Sequence, residues 1–115
     1  MTIPNQSTLT LTHYGRRSGK PFTVKIWFAD IDGQLWIGSL DRERNWVKNL
    51  EASGKAKVDF GKGPIDWNFE PVTDAEGIAR FRAAIAQKHP VMSRIIHLLV
   101  RGGRSYATFR ERRKD

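Results

Sequence analysis

The chain has 115 residues, of which 39% are hydrophobic and 28% charged, so it is long enough for one hydrophobic core and we read residues 1–115 as a single domain. It contains no cysteine, which excludes disulfides, thiolate catalysis and cysteine-bound metals, and its net charge of +8 favours anionic partners. Residues 1–7 lack the pattern of a signal peptide, and the longest apolar stretch, residues 95–100, is too short to span a bilayer, so we expect a cytoplasmic protein without membrane insertion.

The N-terminal part of the chain predicts a three-stranded antiparallel sheet. Polar and apolar residues alternate over residues 8–12, which indicates a strand that ends near His13. A cationic connection with two glycines and a proline follows, and alternation resumes over residues 22–28. The dipeptide Asp32-Gly33 is a strong hairpin signal before a third strand over residues 34–39. The second strand should present two faces, one with Phe22, Val24, Ile26 and Phe28 and the other with Thr23, Lys25 and Trp27.

A short helix and a second hairpin are predicted next. After the polar residues 40–44, Asn45 is a suitable N-cap and Gly54 a suitable C-cap, with apolar residues at helical spacing between them. Alternation then returns over residues 56–60 and 65–69, which a glycine-rich turn joins.

The C-terminal part predicts one or two further helices and a last strand. The capping-box pattern from Thr73 to Glu76 begins a helix that runs to about Lys88. Another helix over residues 91–100, a strand over residues 105–109 and a solvated basic tail over residues 110–114 complete the chain. Strands followed by helices, two to three in all, indicate the α+β class.

No metal site or catalytic motif is evident in the sequence. The histidines His13, His89 and His97 do not have the spacing of metal ligands. Patterns typical of hydrolases, zinc proteases, P-loop proteins and Rossmann dinucleotide-binding proteins are absent from the sequence. If the protein is an enzyme, we expect a bound cofactor to carry the reactivity and no catalytic residue in the strict sense.

The strongest candidate for binding is the cationic turn at residues 15–20. Glycine-rich turns can aim backbone amides at an anion, and arginine side chains can form forked bonds with phosphate or carboxylate. Lys25 in the following strand would add a further charge. The alternative, that these charges only make a hairpin soluble, stays open from the residues alone. The candidate anion-binding residues are Arg16, Arg17, Ser18, Gly19, Lys20 and Lys25.

A second candidate lies where the third strand leads into the short helix. Ser39 ends that strand, and Trp46 lies in the first turn of the helix, where unpaired amides favour anions and an indole can stack on a planar ring. The alternative is that Trp46 and Leu50 simply pack on the sheet, and the residues alone favour that alternative.

The two segments LTHYGRRSGKP (residues 11–21) and NWVKNL (residues 45–50), with Asp32-Gly33 and Ser39 between them, resemble the nitroreductase family of deazaflavin-dependent oxidoreductases. The resemblance covers roughly residues 9–60 and is only general after Pro71. It implies an antiparallel split β-barrel of about six strands, related to the pyridoxamine-phosphate-oxidase-like flavoproteins and usually homodimeric.

This resemblance also implies a cofactor, a reaction and a site. The cofactor would be coenzyme F420, with FMN as the alternative, and the reaction a hydride transfer to a nitro, quinone or enone-type small molecule. By analogy the turn from Arg16 to Lys20 would hold the phosphate and acidic tail, while Ser39, Trp46 and Asn49 would lie beside the cofactor. Phe22 and Lys25 depart from the residues that related proteins often carry, which keeps the identity of the cofactor open.

Two other classes of function stay open from the sequence. A split-barrel module that binds haem or a fatty acid without catalysis is one. A nucleic-acid-binding protein, suggested by the net charge and by aromatic residues such as Trp27 and Trp67, ranks last because no DNA- or RNA-binding motif is present.

Overall fold

A computed structural model describes residues 3–90 and 107–113. In that part of the chain six antiparallel strands accompany two helices, which confirms the predicted α+β class. The elements in chain order are β1 Thr8–Tyr14, β2 Pro21–Ile31, β3 Gln34–Ser39, α1 Asn45–Ser53, β4 Lys55–Asp59, β5 Pro64–Pro71, α2 Ala75–Lys88 and β6 Ala107–Glu111. The helix predicted over residues 91–100 lies outside the described residues, as do residues 105 and 106 of the predicted last strand.

The strands close into a barrel in the order β1-β2-β3-β6-β5-β4, and β4 pairs back onto β1. Leu11 illustrates the closure, since it lies opposite Val24 of β2 on one side and Val58 of β4 on the other. Hairpins make three of the six strand pairs, and the remaining pairs join strands that are distant in the sequence. Closure leaves no free sheet edge among these strands.

The barrel interior is an apolar core built from alternate residues of the strands. Leu9 and Leu11 in β1 are buried while the threonines that alternate with them, Thr8, Thr10 and Thr12, are half-buried, as the alternation predicts. Phe28, Phe69 and Phe109 are the largest fully buried side chains, and burying each stabilises the fold by about 1.5–3 kcal/mol.

A second apolar cluster lies between α2 and the outer surface of the barrel. It consists of Ala29, Trp36, Val72 and Phe81. β2 therefore buries Phe28 on its inner face and Ala29 on its outer face, whereas its first residues, from Pro21 to Thr23, are exposed. Both faces of β2 are therefore buried only beyond Trp27, at Phe28 and Ala29.

Two turn predictions are confirmed by backbone geometry. Asp32 and Gly33 both have positive φ values, 55° and 78°, as a two-residue hairpin that follows the twist of its strands requires. Gly54 ends α1 in the left-handed conformation with φ of 70°, and its amide donates to the carbonyl of Leu50.

Both predicted helix starts are wrong by one residue. Arg44, not Asn45, is the N-cap of α1, and no side chain caps that helix. Asp74, not Thr73, caps α2, because its carboxylate accepts a hydrogen bond from the amide of Gly77. A short carboxylate at the N-cap satisfies one of the amides that the first turn leaves unpaired.

The basic tail is not simply a solvated end. Arg110 and Glu111 belong to β6, and Arg110 forms an ion pair with Glu70 at 3.1 Å. The carboxylate of Glu111 accepts a hydrogen bond from the amide of Leu35 at 2.7 Å. Glu111 thus links β6 to β3, and Arg110 links β6 to β5.

Candidate cofactor site

An open cleft of about 2020 Å³ runs along one side of the barrel. Its walls are the turn after β1, the first half of β2, the start of α1 and one face of α2, with the ends of β3 and β6 between them. Sites for ordinary small molecules measure about 300–1,000 Å³. The cleft therefore has room for a ligand that combines a ring system with a long tail.

Most of the residues predicted for the site meet in this cleft. Seven of the nine line it, and Gly19 and Lys20 do not. The seven are Arg16, Arg17, Ser18, Lys25, Ser39, Trp46 and Asn49. Segments that are far apart in the sequence are brought together because β1 and β2 form one hairpin and α1 packs against β1.

The cationic turn is closed by its own hydrogen bonds. The amide of Gly15 donates to the carbonyl of Lys20 at 2.9 Å, and the amide of Gly19 donates to the carbonyl of Gly15 at 3.0 Å. The amide of Lys20 donates to Ser18 Oγ at 3.2 Å, and Gly19 has a positive φ of 71°. These three amides are thus engaged inside the turn and are not available to an anion, whereas the Arg16 and Arg17 side chains line the cleft.

A chain of three side chains joins this turn to the barrel. Arg16 Nη1 donates to Asn49 Oδ1 at 2.8 Å, and Asn49 Nδ2 lies 2.9 Å from His13 Nδ1. Asn49 and His13 are both buried, and burial lowers the pKa of His13 below its usual value. His13 also lines the cleft, although the sequence did not single it out as a site residue.

Two of the residues predicted for the site, Ser39 and Trp46, also have structural roles. The hydroxyl of Ser39 donates to the carbonyl of Asp41 at 2.9 Å and accepts from the amide of Asp41 at 3.1 Å, so it shapes the loop that follows β3. Trp46 is 6% exposed and packs 6.1 Å from the ring of Phe109 in the barrel core. Its packing on the sheet, the alternative raised from the sequence, is therefore present together with its position at the cleft wall.

The electrostatic character of the cleft is positive. Among the described residues, six charged ones line it, and five of them are cationic: Arg16, Arg17, Lys25, Arg44 and Arg82, against Asp41. Phe22, 49% exposed, adds an aromatic surface and stacks on His13 with a centroid separation of 5.7 Å. The cleft thus combines anion-binding groups with an exposed aromatic ring.

Residues 1–95 match the sequence model of the F420H(2)-dependent quinone reductase family. The chain belongs to this family. The resemblance drawn from the turn and the short helix is therefore confirmed.

Solved structures with this fold include proteins of different described roles. The heme storage protein from Vibrio cholerae is 16% identical with a TM-score of 0.73, covering 96% of this chain and 84% of that one. An F420-H2 dependent reductase is 15% identical with a TM-score of 0.73, covering 97% and 99%. A structure described as a domain-swapped dimer is 15% identical with a TM-score of 0.72, covering 97% and 84%. At these identities the likenesses establish the split-barrel fold alone.

Trp27 and Trp67 in this member of the quinone reductase family each pack against another aromatic ring. Trp27 is half-buried and stacks on His89 with ring centroids 4.0 Å apart, and Trp67 packs edge-on against Phe60 at 6.0 Å. Both indole rings are thus partly covered by neighbouring rings, which adds nothing in favour of the nucleic-acid-binding alternative.

The described part of this quinone reductase family member contains no cluster of three or more side chains able to hold a metal. Neither helix in the same part of the chain is long and apolar enough to cross a membrane.

Proposed function

We propose that this protein is an F420H2-dependent reductase that transfers a hydride to a small quinone, nitro compound or enone. Family membership supports the class of reaction. The observation that carries the proposal for this chain is the convergence of Arg16, Arg17 and Lys25 in one cleft with the exposed ring of Phe22.

The residues present fit a polyanionic cofactor. Guanidinium groups bind phosphate and carboxylate through charge-assisted, forked hydrogen bonds, and Arg16, Arg17 and Lys25 would hold a phosphate and an acidic tail. Ser18 can still donate its hydroxyl hydrogen while its oxygen accepts from Lys20. Gly19 and Lys20 would act by shaping the turn. Several cations in a long cleft favour F420 over FMN, whose single phosphate needs fewer of them.

For the ring of the cofactor the cleft offers surfaces rather than acid–base groups. Phe22 and Trp46, which both line the cleft, would contact it, while Ser39 and Asn49 keep the neighbouring loop and helix in place. When bound, the reduced deazaflavin supplies a hydride for a two-electron reduction. The contribution of the protein is then orientation of the reactants and exclusion of water.

Haem binding is less well supported by the described histidines. His13 Nδ1 is engaged by Asn49, and a neutral ring in that arrangement carries its proton on Nε2. A haem iron needs a nitrogen lone pair, which that tautomer does not offer to the cleft. His89 is stacked against Trp27 and does not line the cleft.

A titration of the purified protein with F420 and, separately, with FMN tests the proposal. We expect saturable low-micromolar binding of F420 and weaker binding of FMN, followed by F420H2 oxidation in the presence of a quinone or a nitro compound. Failure to bind either cofactor at physiological salt would overturn the proposed function.

Two arginine variants sharpen this titration. Arg17→Ala should weaken F420 binding by about tenfold or more, because a charge-assisted bond contributes about 1.5–3 kcal/mol. Arg42→Ala is the matched control, because Arg42 is exposed and does not line the cleft. This substitution removes the same charge as Arg17→Ala. Equal losses in both variants would attribute the effect to net charge and count against the site.

We also propose that the active form is a homodimer whose second chain completes the cleft. One structure of the same fold is described as a domain-swapped dimer, and the cleft of a single chain is open to solvent. Sedimentation velocity should give twice the mass of one chain; a monomer that binds F420 with full affinity would contradict this. Cytoplasmic residence and a single domain over residues 1–115 stay predictions from the sequence.

A further inference from the structure

His13, Asn49 and Arg16 form a hydrogen-bonded chain of side chains that all line the cleft. His13 lies near the end of β1, Asn49 in the middle of α1, and Arg16 in the turn that follows β1. The two contacts measure 2.9 Å between His13 and Asn49 and 2.8 Å between Asn49 and Arg16. Side-chain hydrogen bonds thus link α1 to the end of β1 and to the turn that follows β1.

The chemistry of the groups settles the direction of both bonds. A guanidinium only donates, so the Asn49 atom that faces Arg16 must be the amide oxygen. The amide nitrogen then faces His13 and can only donate, so His13 Nδ1 must accept. A neutral ring with its proton on Nε2 is the form that satisfies this arrangement. The lowered pKa of His13, which follows from its burial, agrees with a neutral ring.

Each member of the chain restricts the next one. An arginine side chain in an exposed turn has many rotamers, and ordering it before a ligand arrives removes an entropic penalty from binding. The bond to Asn49 engages one of the five N–H groups of Arg16 and leaves the others for an anion. Asn49 can hold Arg16 only while its oxygen points to the turn, and His13 is the acceptor that fixes the amide in that orientation.

We propose that His13 is a positioning residue: through the Asn49 amide it holds the Arg16 guanidinium in the orientation that receives the anionic part of the cofactor. This inference rests on the proposed function for the identity of the anion. The ordering of Arg16 by His13 does not depend on it, which allows the two to be tested apart.

Two substitutions at His13 separate the role of Nδ1 from every other property of the ring. His13→Ala removes the acceptor and leaves the Asn49 amide free to turn. His13→Asn places an amide oxygen near the position of Nδ1, so it can accept from Asn49, but it has no equivalent of the Nε2 proton and no ring to stack on Phe22. A positioning role predicts that His13→Asn restores what His13→Ala loses.

The first measurement is F420 affinity in a double-mutant cycle. We expect His13→Ala to raise the dissociation constant about five- to tenfold, and His13→Asn to stay within about twofold of the native protein. Because His13 acts through Arg16, His13→Ala should have no further effect when Arg16→Ala is already present. Additive losses, or no rescue by His13→Asn, would overturn the proposal.

The second measurement needs no ligand. Nitrogen-15 relaxation of Arg16 Nε should show an ordered side chain in the native protein and in His13→Asn, and a mobile one in His13→Ala. Ring nitrogen shifts should show His13 protonated on Nε2 with Nδ1 bare. An Arg16 side chain equally ordered in all three proteins would refute the positioning role. If the native protein shows this pattern but binds no F420, the proposed function fails while the positioning role stands.

Discussion

His13 and His89 have ring nitrogens that are shielded from water, and this makes folding sensitive to acid. Burial lowers the pKa of both rings below the usual value of 6.5, and for His89 the charge of Lys88 adds to the effect. The unfolded chain therefore takes up protons at these two positions before the folded chain does. Stability is fully present above about pH 6.5 and is lost as the pH falls through and below that value.

Urea denaturation at pH 7.5 and pH 5 measures this loss. We expect a lower free energy of unfolding at pH 5, and a smaller difference between the two pH values in His13→Asn, which cannot titrate there. A stability that rises on acidification would contradict the neutral ring assigned to His13.

The start of α2 shows how a single capping residue anchors an element. Asp74 accepts from the amide of Gly77 at 2.8 Å, whereas Thr73 lies outside the helix. Asp74→Ala should lower the free energy of unfolding by about 1 kcal/mol because an amide of the first turn loses its partner. Thr73→Ala is the matched control and should change it by less than half as much. Chemical denaturation of the two variants decides which residue is the cap.

The packing of α2 against the barrel depends on Gly38 in β3. A Cβ added at Gly38 would lie 2.5 Å from Phe81 Cε2 and 2.8 Å from the carbonyl oxygen of Ala107. Gly38→Ala should therefore lower the free energy of unfolding by about 1–3 kcal/mol. The double variant Gly38→Ala with Phe81→Leu should lose less free energy of unfolding than the sum of the two single variants, because the smaller side chain at position 81 relieves one of the two clashes. Thermal denaturation of the two single variants and the double variant measures the coupling; strictly additive losses would show that Phe81 is not the obstacle.

Local elements were predictable from the sequence because local signals specify them. The alternation in β1, the hairpin at Asp32-Gly33 and the end of α1 at Gly54 depend on neighbouring residues alone. The cap of α2 was misplaced because Thr73 and Asp74 are both good caps, and only the backbone path decides between them.

Barrel closure and the missed site residue depend on distant contacts. Nothing local indicates that β4 returns to β1 or that β6 enters between β3 and β5. His13 and Asn49 are 36 positions apart, and they meet only because α1 packs against β1. A histidine at a strand end therefore gave no sign of its partner. The cationic turn was found from its own arginines and glycines, and Asn49 of the short helix was found through the family resemblance.

At the scale of the whole molecule, the net charge of +8 should act on the rate at which an anionic cofactor arrives. Long-range attraction raises the association rate and is screened by salt, whereas contacts inside the cleft set the dissociation rate. The variant Lys55→Glu with Lys62→Glu changes exposed residues that do not line the cleft and lowers the net charge by two units each, from +8 to +4.

Stopped-flow binding of F420 at low and physiological salt separates the two contributions. The double lysine variant should bind several-fold more slowly at low salt, with an unchanged dissociation rate and a weaker dependence on salt. Arg17→Ala should do the reverse, because it removes a contact within the cleft and should mainly speed dissociation. If the lysine variant instead released F420 faster, those distant lysines would belong to the binding site, and the cleft described here would not contain all of it.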